Sequence, residues 1–314
     1  MSISFGQAWD LQFEAQLHAT YEQERGKLES QIDERYIHRG VKAAIDHFER
    51  LGNVVAADSP ARHSQTVVLN PNHSKRACFP ITSHGAVLLS NIDEVRTMVE
   101  PKNPYMTAIV TALKRRSDKH IISASVGSAS IATMGSDGSP TYSTQALLTA
   151  YDIDGTGTSN AISLADIIKA NVLLSKAGVP GGSQNRLALY SPGQLTNLLN
   201  ITQASSSDFY SKGRIHEAGT MDGQTFEGMT WIEIADAVNE SVTSIQTMLP
   251  LTSTTRSMIF MAKDACGLTL NQGIQNSINQ RPDLNDDWQV RGFMTMGSVR
   301  IWEGGVVKCD VLEN

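Results

Sequence analysis

The spacing of apolar residues changes several times along the chain, and its first 26 residues have the spacing of a helix. Large apolar side chains recur at every fourth position, at Phe5, Trp9, Phe13, Leu17 and Tyr21. A step of four places them along one helical face. We therefore predict an amphipathic helix that ends near Gly26, and we interpret residues 1–26 as an N-terminal arm. An apolar face at a chain end needs a surface to cover it.

A different pattern follows, in which charged and apolar residues are mixed and β-branched residues recur. Turn-forming residues stand at positions 52–53, 58–60 and 70–72. Strands bounded by such turns predict an extended β-hairpin from Lys27 to Phe79, and we assign residues 27–100 to this extended loop and its lead-in. Because an isolated two-stranded hairpin is only marginally stable in water, the loop needs a second surface.

The most regular helical pattern of the chain runs from Pro101 to Gly127. Its apolar residues are spaced by threes and fours, and Pro104 suits a first helical turn. After a polar linker at 154–160, the sequence predicts a second helix from Leu164 to Ala177 and a turn at 178–182. A long helix between two strand-rich regions is typical of a structural spine.

Residues Asn185 to Trp231 combine several short elements. An apolar strand at Arg186 to Tyr190 is followed by a helix that Pro192 opens, a serine-rich break and two strands marked by glycines. No catalytic group stands out in this segment. Since helices and strands do not alternate regularly along the chain, the pattern predicts an α+β fold, and not a doubly wound parallel sheet.

The chain ends in two further apolar segments, residues 296–302 and 306–312. Glu303, Gly304 and Gly305 separate them, and glycine supplies the positive φ that tight turns require. The sequence therefore predicts a terminal β-hairpin.

Composition excludes several classes of protein. With 40% hydrophobic and 18% charged residues the chain is globular, and no apolar run approaches the roughly 18 residues of a membrane helix. A net charge of −6 does not suit a protein that coats nucleic acid. The three cysteines, Cys78, Cys266 and Cys309, are far apart, and we expect buried thiols without a disulfide framework.

The strongest enzyme-like signal is the run Tyr151 to Thr156. Asp152 and Asp154 match the first motif of haloacid-dehalogenase-type phosphatases, in which one aspartate is the nucleophile, the other is the acid/base and Mg²⁺ bridges them. The other parts of such a site are missing. The same run begins like a calcium loop, but Ser163 stands where a bidentate glutamate is needed. We therefore favour a loop and expect no catalytic, cofactor-binding or metal-binding residues.

No other chemistry stands out. The eight histidines are scattered without metal-ligand spacing, and no nucleophile elbow occurs. The basic run 114–120 on the long predicted helix indicates a solvated face or subunit salt bridges, with phosphate contact as the alternative. Together with extended elements that cannot cover themselves, this indicates a structural or interaction protein.

The segment with the sequence NRLALYSPGQLTNLL resembles the central segment of the major capsid proteins of tailed bacteriophages. In that family the strand ends in a proline, a helix with a Leu-Leu pair follows, and a glycine-marked hairpin comes next, here SSSDFYSKGRIHEAGTMDGQTFEGMTWIE. Residues 115–122, with the sequence RRSDKHII, resemble the family's spine helix. Asn279 to Trp288 is similar to a segment before the last strands. The order of elements matches the family over nearly the whole chain.

The resemblance implies the Hong Kong 97-type capsid fold. It assigns residues 1–26 to the arm, 27–100 to the extended loop and its lead-in, and 101–140 to a peripheral domain with the spine helix. Residues 141–270 become an axial domain. Residues 271–314 return through the peripheral domain to the terminal strands.

The implied function is that of a major capsid protein, which self-assembles as hexamers and pentamers into the icosahedral shell of a virion that encloses double-stranded DNA. The expected partners are copies of the chain, a portal, a decoration protein and packaged DNA in weak contact. Since only about two dozen residues precede the hairpin, we also expect a separate scaffolding protein. Assembly is expected in the host bacterial cytoplasm, without a membrane. The alternatives are an encapsulin-like nanocompartment shell and a Mg²⁺-dependent phosphatase that uses Asp152 and Asp154.

Overall fold

The fold is that of a computed structural model of the full chain. The structure describes residues 26–56, 58, 62, 68, 71–89, 102–134, 139–155, 161–201, 220–234, 249–252, 255–284 and 286–312. The amphipathic helix predicted between Phe5 and Tyr21 lies outside these residues.

Three α-helices and fifteen strands are present in the described residues, so the fold is α+β as predicted. The helices are α1 (Lys102–Val126), α2 (Leu164–Lys176) and α3 (Pro192–Leu199). The strands are β1 (Ile37–Arg39), β2 (Asp46–Leu51), β3 (His73–Cys78), β4 (Ile81–Leu89), β5 (Ala129–Met134), β6 (Pro140–Gln145), β7 (Asp152–Asp154), β8 (Arg186–Tyr190), β9 (Thr225–Phe226), β10 (Met229–Glu233), β11 (Leu251–Thr252), β12 (Thr255–Ala262), β13 (Cys266–Arg281), β14 (Asp287–Arg300) and β15 (Val306–Leu312). The predicted helices at 101–127 and 164–177 and the strand at 186–190 are confirmed.

The chain divides into two compact units. The smaller unit comprises Met1–Gly26, Thr82–Arg116 and Gln272–Thr295, and the larger one comprises Lys27–Ile81, Ser117–Asn271 and Met296–Asn314. Each unit is assembled from segments that are distant in sequence. Neither could therefore be predicted as one continuous stretch of chain.

The main core of the larger unit lies on a seven-stranded sheet. Its strand order is β7–β15–β12–β8–β10–β9, and β11 pairs with β12. Trp231 on β10 is fully buried, and its ring lies 6.0 Å from the rings of Tyr190 and Phe260. Ile167, Leu174 and Leu198 from α2 and α3 belong to the same apolar cluster. Burial of these large side chains supplies the main stabilisation of the unit.

The glycine-marked strands of the predicted central segment form a tight hairpin. Phe226 of β9 pairs with Met229 of β10, so the turn contains only Glu227 and Gly228. Their φ angles are 49° and 72°. Two successive positive φ angles are typical of the type I′ turn, whose twist matches that of the strands. Glycine is needed at Gly228 because an L side chain is strained there.

Helix α2 is fixed at both ends by side chains. At its beginning Ser163 and Asp166 form a capping box, with each side chain accepting a backbone N–H of the other residue. At its end the Arg186 guanidinium donates to the carbonyl oxygens of Val179 and Pro180, at 2.5 and 3.0 Å. These contacts hold the turn at 178–182, which the sequence predicted.

The hairpin predicted from Lys27 to Phe79 is confirmed for β2 and β3, whereas residues 29–39 instead form two 3-10 turns and β1, which pairs with β13. Strands β2 and β3 pair antiparallel from Asp46 opposite Cys78 to Leu51 opposite His73. They belong to a four-stranded antiparallel sheet with the order β2–β3–β5–β6. Strands β5 and β6 were not predicted, because the glycines of residues 127–138 indicated only the end of a helix. One face of this sheet is covered by an apolar cluster that includes Phe48, Cys78 and Ile301.

A third sheet has the strand order β1–β13–β14–β4. The long strands β13 and β14 are joined by a short turn at Pro282–Leu284, so Asn279 to Trp288 forms the tip of a hairpin. Within the smaller unit, α1 lies directly on β14. A Cβ atom at Gly292 would come within 2.7 Å of the Ile109 side chain, so only glycine allows this approach.

The predicted terminal hairpin is wrong. Strand β14 belongs to the third sheet, whereas β15 lies between β12 and β7 in the seven-stranded sheet. Residues Glu303–Gly305 form a short 3-10 turn, and the described glycines in it have no positive φ. Because β15 pairs with β12 and β7, the chain passes from one sheet to the other here, and the side chains of Arg300 and Glu303 beside the turn are buried in a polar network.

That network links four separate parts of the larger unit. The Glu303 carboxylate accepts Arg300 Nε through one oxygen and Arg76 Nη2 through the other, both at 2.9 Å. Arg300 also donates to the carbonyl oxygens of Ser125 and Gly127 at the end of α1, at 2.8 and 2.6 Å. A guanidinium at a helix C-terminus satisfies free carbonyl groups and offsets the helix dipole.

We predict that Glu303→Gln lowers the free energy of unfolding by about 3–5 kcal/mol, because it leaves two buried guanidinium groups without a counter-charge. Urea denaturation of unassembled subunits measures the loss. The control is Glu49→Gln, which removes the exposed ion pair of Glu49 with Lys75 and should leave stability nearly unchanged. Equal effects of the two substitutions would contradict the role assigned to the network.

Candidate functional site

The first described residues are held by a carboxylate of the long helix. Asp118 of α1 is fully buried, and its two oxygens accept the backbone N–H groups of Lys27 and Leu28 at 2.9 and 3.1 Å. Hydrogen bonds to an ionised carboxylate are stronger than those between neutral groups. Asp118 therefore fixes the position at which the chain enters the larger unit.

The side chain of Lys27 adds a second attachment at this position. Its ammonium group donates to Asp222 and to the carbonyl oxygen of Glu233, both at 2.8 Å. Asp222 also accepts the backbone N–H of Glu233 at 3.0 Å. The entry of the chain is thereby tied to the end of β10 as well as to α1. The run RRSDKHII contains this aspartate, but its sequence pattern did not indicate this role.

Three large apolar side chains on one face of the four-stranded sheet are exposed among the residues that the structure describes. The strand register places Met134 and Tyr142 on the face opposite to the Phe48 cluster, and Phe79, which follows β3, contacts Tyr142 there. The exposed fractions of Phe79, Met134 and Tyr142 are 43%, 75% and 40%. The Phe79 and Tyr142 rings contact each other edge to face at 5.5 Å, and His47 stacks near Tyr142. An apolar cluster exposed on one subunit marks a surface for association.

The basic run of the long helix is not a solvated face. Each of its basic residues is half-buried in the structure: Lys114, Arg115, Arg116, Lys119 and His120. Since consecutive helical positions point in different directions, half-burial of all of them requires cover on more than one side of the helix. The structure therefore does not show a fully solvated face, and the subunit salt bridges stay a prediction.

Asp152 and Asp154 lie in a strand, so the prediction of a loop at these residues is also wrong. They form β7, which pairs in parallel with β15 from Asp152 opposite Lys308 to Asp154 opposite Asp310. Both aspartates are exposed, and Ile153 between them is buried. Alternation of exposed and buried side chains is typical of a strand with one buried face, and not of a turn.

The surroundings of Asp152 and Asp154 are those of a surface ion cluster. Lys308 contacts Asp310 at 2.5 Å and Asp152 at 3.4 Å. Ser163, which the calcium alternative placed at a ligand position, instead caps α2. Within the described ranges no group of three histidine, cysteine or acidic residues could hold a metal ion.

The three cysteines are buried, as the sequence predicted. Burial raises the pKa of Cys78 to about 11 and that of Cys266 to about 12, and it raises the pKa of Cys309 as well. Because the thiolate is the reactive form of cysteine, these side chains are packing groups at neutral pH. None of the helices in the described part of the chain is long and apolar enough to cross a membrane.

Comparison with known proteins gives the family. The model of the phage capsid protein family matches residues 6–313. The chain belongs to the phage capsid protein family. Proteins of this family are structural components of the shell of the virion and are not enzymes, so the phosphatase alternative for Asp152 and Asp154 is excluded. Among curated protein sequences none gives a significant match.

Solved phage capsids share the fold. The chain from Mycobacterium phage Che8 has a TM-score of 0.68 and 17% identity over 95% of each chain. The acid-stable capsid of Helicobacter pylori bacteriophage KHP30 has a TM-score of 0.70 and 9% identity, over 99% of this chain and 98% of that one. The capsid of Ralstonia phage GP4 has a TM-score of 0.67 and 12% identity, over 100% and 98%. The predicted Hong Kong 97-type fold is therefore confirmed.

The capsid family also explains the absence of a convergent catalytic constellation among the described residues. A shell subunit acts through its surfaces and arms, and the two features identified for this role are the entry of the chain at the buried Asp118 and the exposed side chains on the four-stranded sheet. A signal for the first was available in the sequence, because Asp118 is an acidic residue within the basic run 114–120 of the long helix. The second gave no signal, because Phe79, Met134 and Tyr142 are distant in sequence.

We predict that Asp118→Asn loosens the entry of the chain, because an amide has only one acceptor oxygen for two backbone N–H groups. An unsatisfied buried donor costs about 1–3 kcal/mol. Limited trypsin digestion should cleave after Lys27 faster in this variant than in the wild type. Ser123→Ala, an exposed position of the same helix, is the control. An unchanged cleavage rate in Asp118→Asn would contradict the anchoring role.

Proposed function

We propose that this major capsid protein forms the hexamers and pentamers of an icosahedral shell that encloses the double-stranded DNA of a tailed bacteriophage. The family match over residues 6–313 is the observation that carries the proposal. Copies of the chain are its main partner, and the virion is its location. The proposed contacts between subunits involve the apolar surfaces that a single subunit leaves exposed.

The proposed domains follow one another in the order of the chain. Residues 1–26 act as an arm, 27–100 as an extended loop with its lead-in, and 101–140 as a peripheral domain that carries α1. Residues 141–270 form an axial domain near the centre of each hexamer or pentamer, and 271–314 return through the peripheral domain. The base of the loop in strands β2 and β3, with its exposed residues toward the tip, supports this assignment.

Contacts between copies are proposed to be numerous and individually modest. Val54 and Val55 near the tip of the loop are 60% and 73% exposed, and Leu51 is 52% exposed. A standard interface buries about 1,200–2,000 Å². Each subunit of a closed shell contacts several neighbours at once. The high effective concentration of these neighbours raises the overall affinity, so no single contact needs to be strong.

Other partners belong to the same proposal. Identical subunits joined by modest contacts can close into shells of several sizes, so we infer a separate scaffolding protein that sets the curvature during assembly in the host bacterial cytoplasm. A portal and a decoration protein are further proposed partners. The net charge of −6 favours weak contact with packaged DNA, since tight phosphate binding needs concentrated basic residues.

An encapsulin-like nanocompartment is the alternative with the same fold. The matching family model is that of phage capsid proteins, which favours the phage shell. The two functions differ in what the particle contains, since a compartment encloses cargo enzymes and a phage shell encloses genomic DNA.

The proposed function predicts shells, or rings of five and six subunits, when the chain is expressed in bacteria and viewed by electron microscopy. A strictly monomeric product under all assembly conditions would contradict it.

Deletion of residues 1–25 should leave the fold intact, as judged by circular dichroism, and reduce shell yield, because the proposed arm is lost.

The scaffolding proposal makes a separate prediction. The purified chain alone should give particles of mixed size or incomplete shells, because nothing sets the curvature. Uniform shells of a single size, formed by the chain without any other protein, would contradict it. Particle diameters in electron micrographs give the answer.

A further inference from the structure

Strand β6 is the last strand of the four-stranded sheet and is paired on one side only. Its neighbour is β5, with Ala129 opposite Gln145 at one end and Met134 opposite Pro140 at the other. No strand among the described residues pairs with its other side. Five of its six residues are exposed, and Gln145 is half-buried. Because an edge strand directs unpaired N–H and C=O groups outward, it can pair with another chain.

The sequence of β6 has little of what protects the edge of a sheet. Native proteins block exposed edges with charged side chains, very short strands, prolines or bulges. Pro140 stands at the first position of β6, and the following residues, TYSTQ, carry no charge. Tyrosine and threonine favour the strand conformation. The edge is therefore able to accept a further strand.

The other edge strands of the two sheets in the larger unit carry such protection. At the opposite end of the same sheet, β2 contains Asp46, Glu49 and Arg50. In the seven-stranded sheet, β7 has three residues, and two of them are Asp152 and Asp154. Strands β9 and β11 have only two residues each. Among these strands, the combination of length, exposure and lack of charge is specific to β6.

Exposed apolar side chains lie beside this edge. Tyr142 of β6 is 40% exposed, and the Phe79 ring contacts it edge to face at 5.5 Å. Met134, at the end of the adjacent strand β5, is 75% exposed. The side chains of an added strand lie on the same two faces of the sheet, so they cover part of this cluster. Backbone pairing and apolar burial therefore favour association at the same place.

We propose that β6 pairs antiparallel with β6 of a second copy of the chain, so that the two sheets form one sheet with four strands from each copy. This pairing rests on the proposed shell function, since a shell is what brings the copies together. The second copy presents the same open edge, so the structure shows both sides of the contact. Antiparallel pairing of identical strands has two-fold symmetry, so one residue of β6 lies opposite itself.

The two-fold symmetry determines where in a shell this contact lies. Within a hexamer or a pentamer, neighbouring copies are related head to tail, and each contact joins two different surfaces. A contact of β6 with itself is not of this kind. It therefore joins copies that belong to two adjacent rings, and each copy takes part in only one such contact.

Single cysteine substitutions at each position from Thr141 to Thr144 test the pairing in oxidised shells. Cα atoms directly opposite each other are about 4.5–5.5 Å apart, within reach of a disulfide, whereas diagonal neighbours are about 7–8 Å apart. We therefore expect a disulfide-linked dimer at one position, at least about fivefold more than at the next position along the strand. Since each copy has one β6, no larger species should form. The three native cysteines are buried and do not interfere.

The matched control is Ser74→Cys, because Ser74 is exposed on β3, an interior strand of the same sheet. It should give no dimer above background on a non-reducing gel. Shells in which every β6 position gives no more dimer than Ser74→Cys would overturn the pairing and leave the shell function intact. Electron microscopy of the same samples reports assembly independently. A chain that forms neither shells nor rings contradicts the proposed function, and the pairing falls with it.

A second pair of variants does not depend on disulfide formation. Ser143→Lys adds a positive charge to the edge of both copies, and like charges across a strand pair are destabilising. We expect isolated rings to accumulate in place of closed shells. Ser74→Lys, with the same charge on an interior strand, should assemble like the wild type. Equal shell yields from Ser143→Lys and Ser74→Lys would overturn the pairing.

Discussion

The larger unit depends on a buried carboxylate that two arginines share. Glu303 receives one hydrogen bond from Arg300 and one from Arg76, and Arg300 reaches on to the carbonyl groups at the end of α1. Charged side chains are costly to bury, so this arrangement is stable only when every strand that contributes to it is in place. The network thereby couples the end of the long helix, the base of the extended loop and the passage from β14 to β15.

The two antiparallel-containing sheets of the larger unit differ in how completely their apolar side chains are buried. The seven-stranded sheet covers its own apolar residues with α2 and α3, and Trp231 is fully buried there. On one face of the four-stranded sheet, in contrast, Phe79, Met134 and Tyr142 are exposed among the described residues. The first arrangement is that of an independently folded body, and the second is that of a surface completed by association.

The sequence revealed the elements whose pattern is local. Helix α1 was predictable because its apolar residues follow the helical period, and the β9–β10 hairpin was marked by its glycines. Strand β13 was missed because its second half is rich in asparagine and glutamine, and Ile274 and Ile278, four residues apart, do not give the alternation of a strand. The terminal hairpin was predicted wrongly because the Glu-Gly-Gly sequence permits a tight turn, whereas β15 pairs with the distant strands β7 and β12 and not with β14.

The surfaces were less predictable than the elements. Sequence patterns indicated that residues 27–79 need a partner, but not that Tyr142 of β6 would join Phe79 on the same face. Nor does a sequence show that Arg50 and Arg76 are diagonal neighbours, since this depends on the register of two strands. Long-range pairing is set by the summed burial of many side chains, and no single residue encodes it.

Hydrogen–deuterium exchange of free subunits and assembled shells tests most directly the claim that an autonomous body carries surfaces which only neighbours complete. Amides of β8, β12 and β15 should be protected equally in both states. Residues 51–56 and the strand β6 should gain protection only in shells. Equal protection of the loop and β6 in free subunits and in shells would contradict the account.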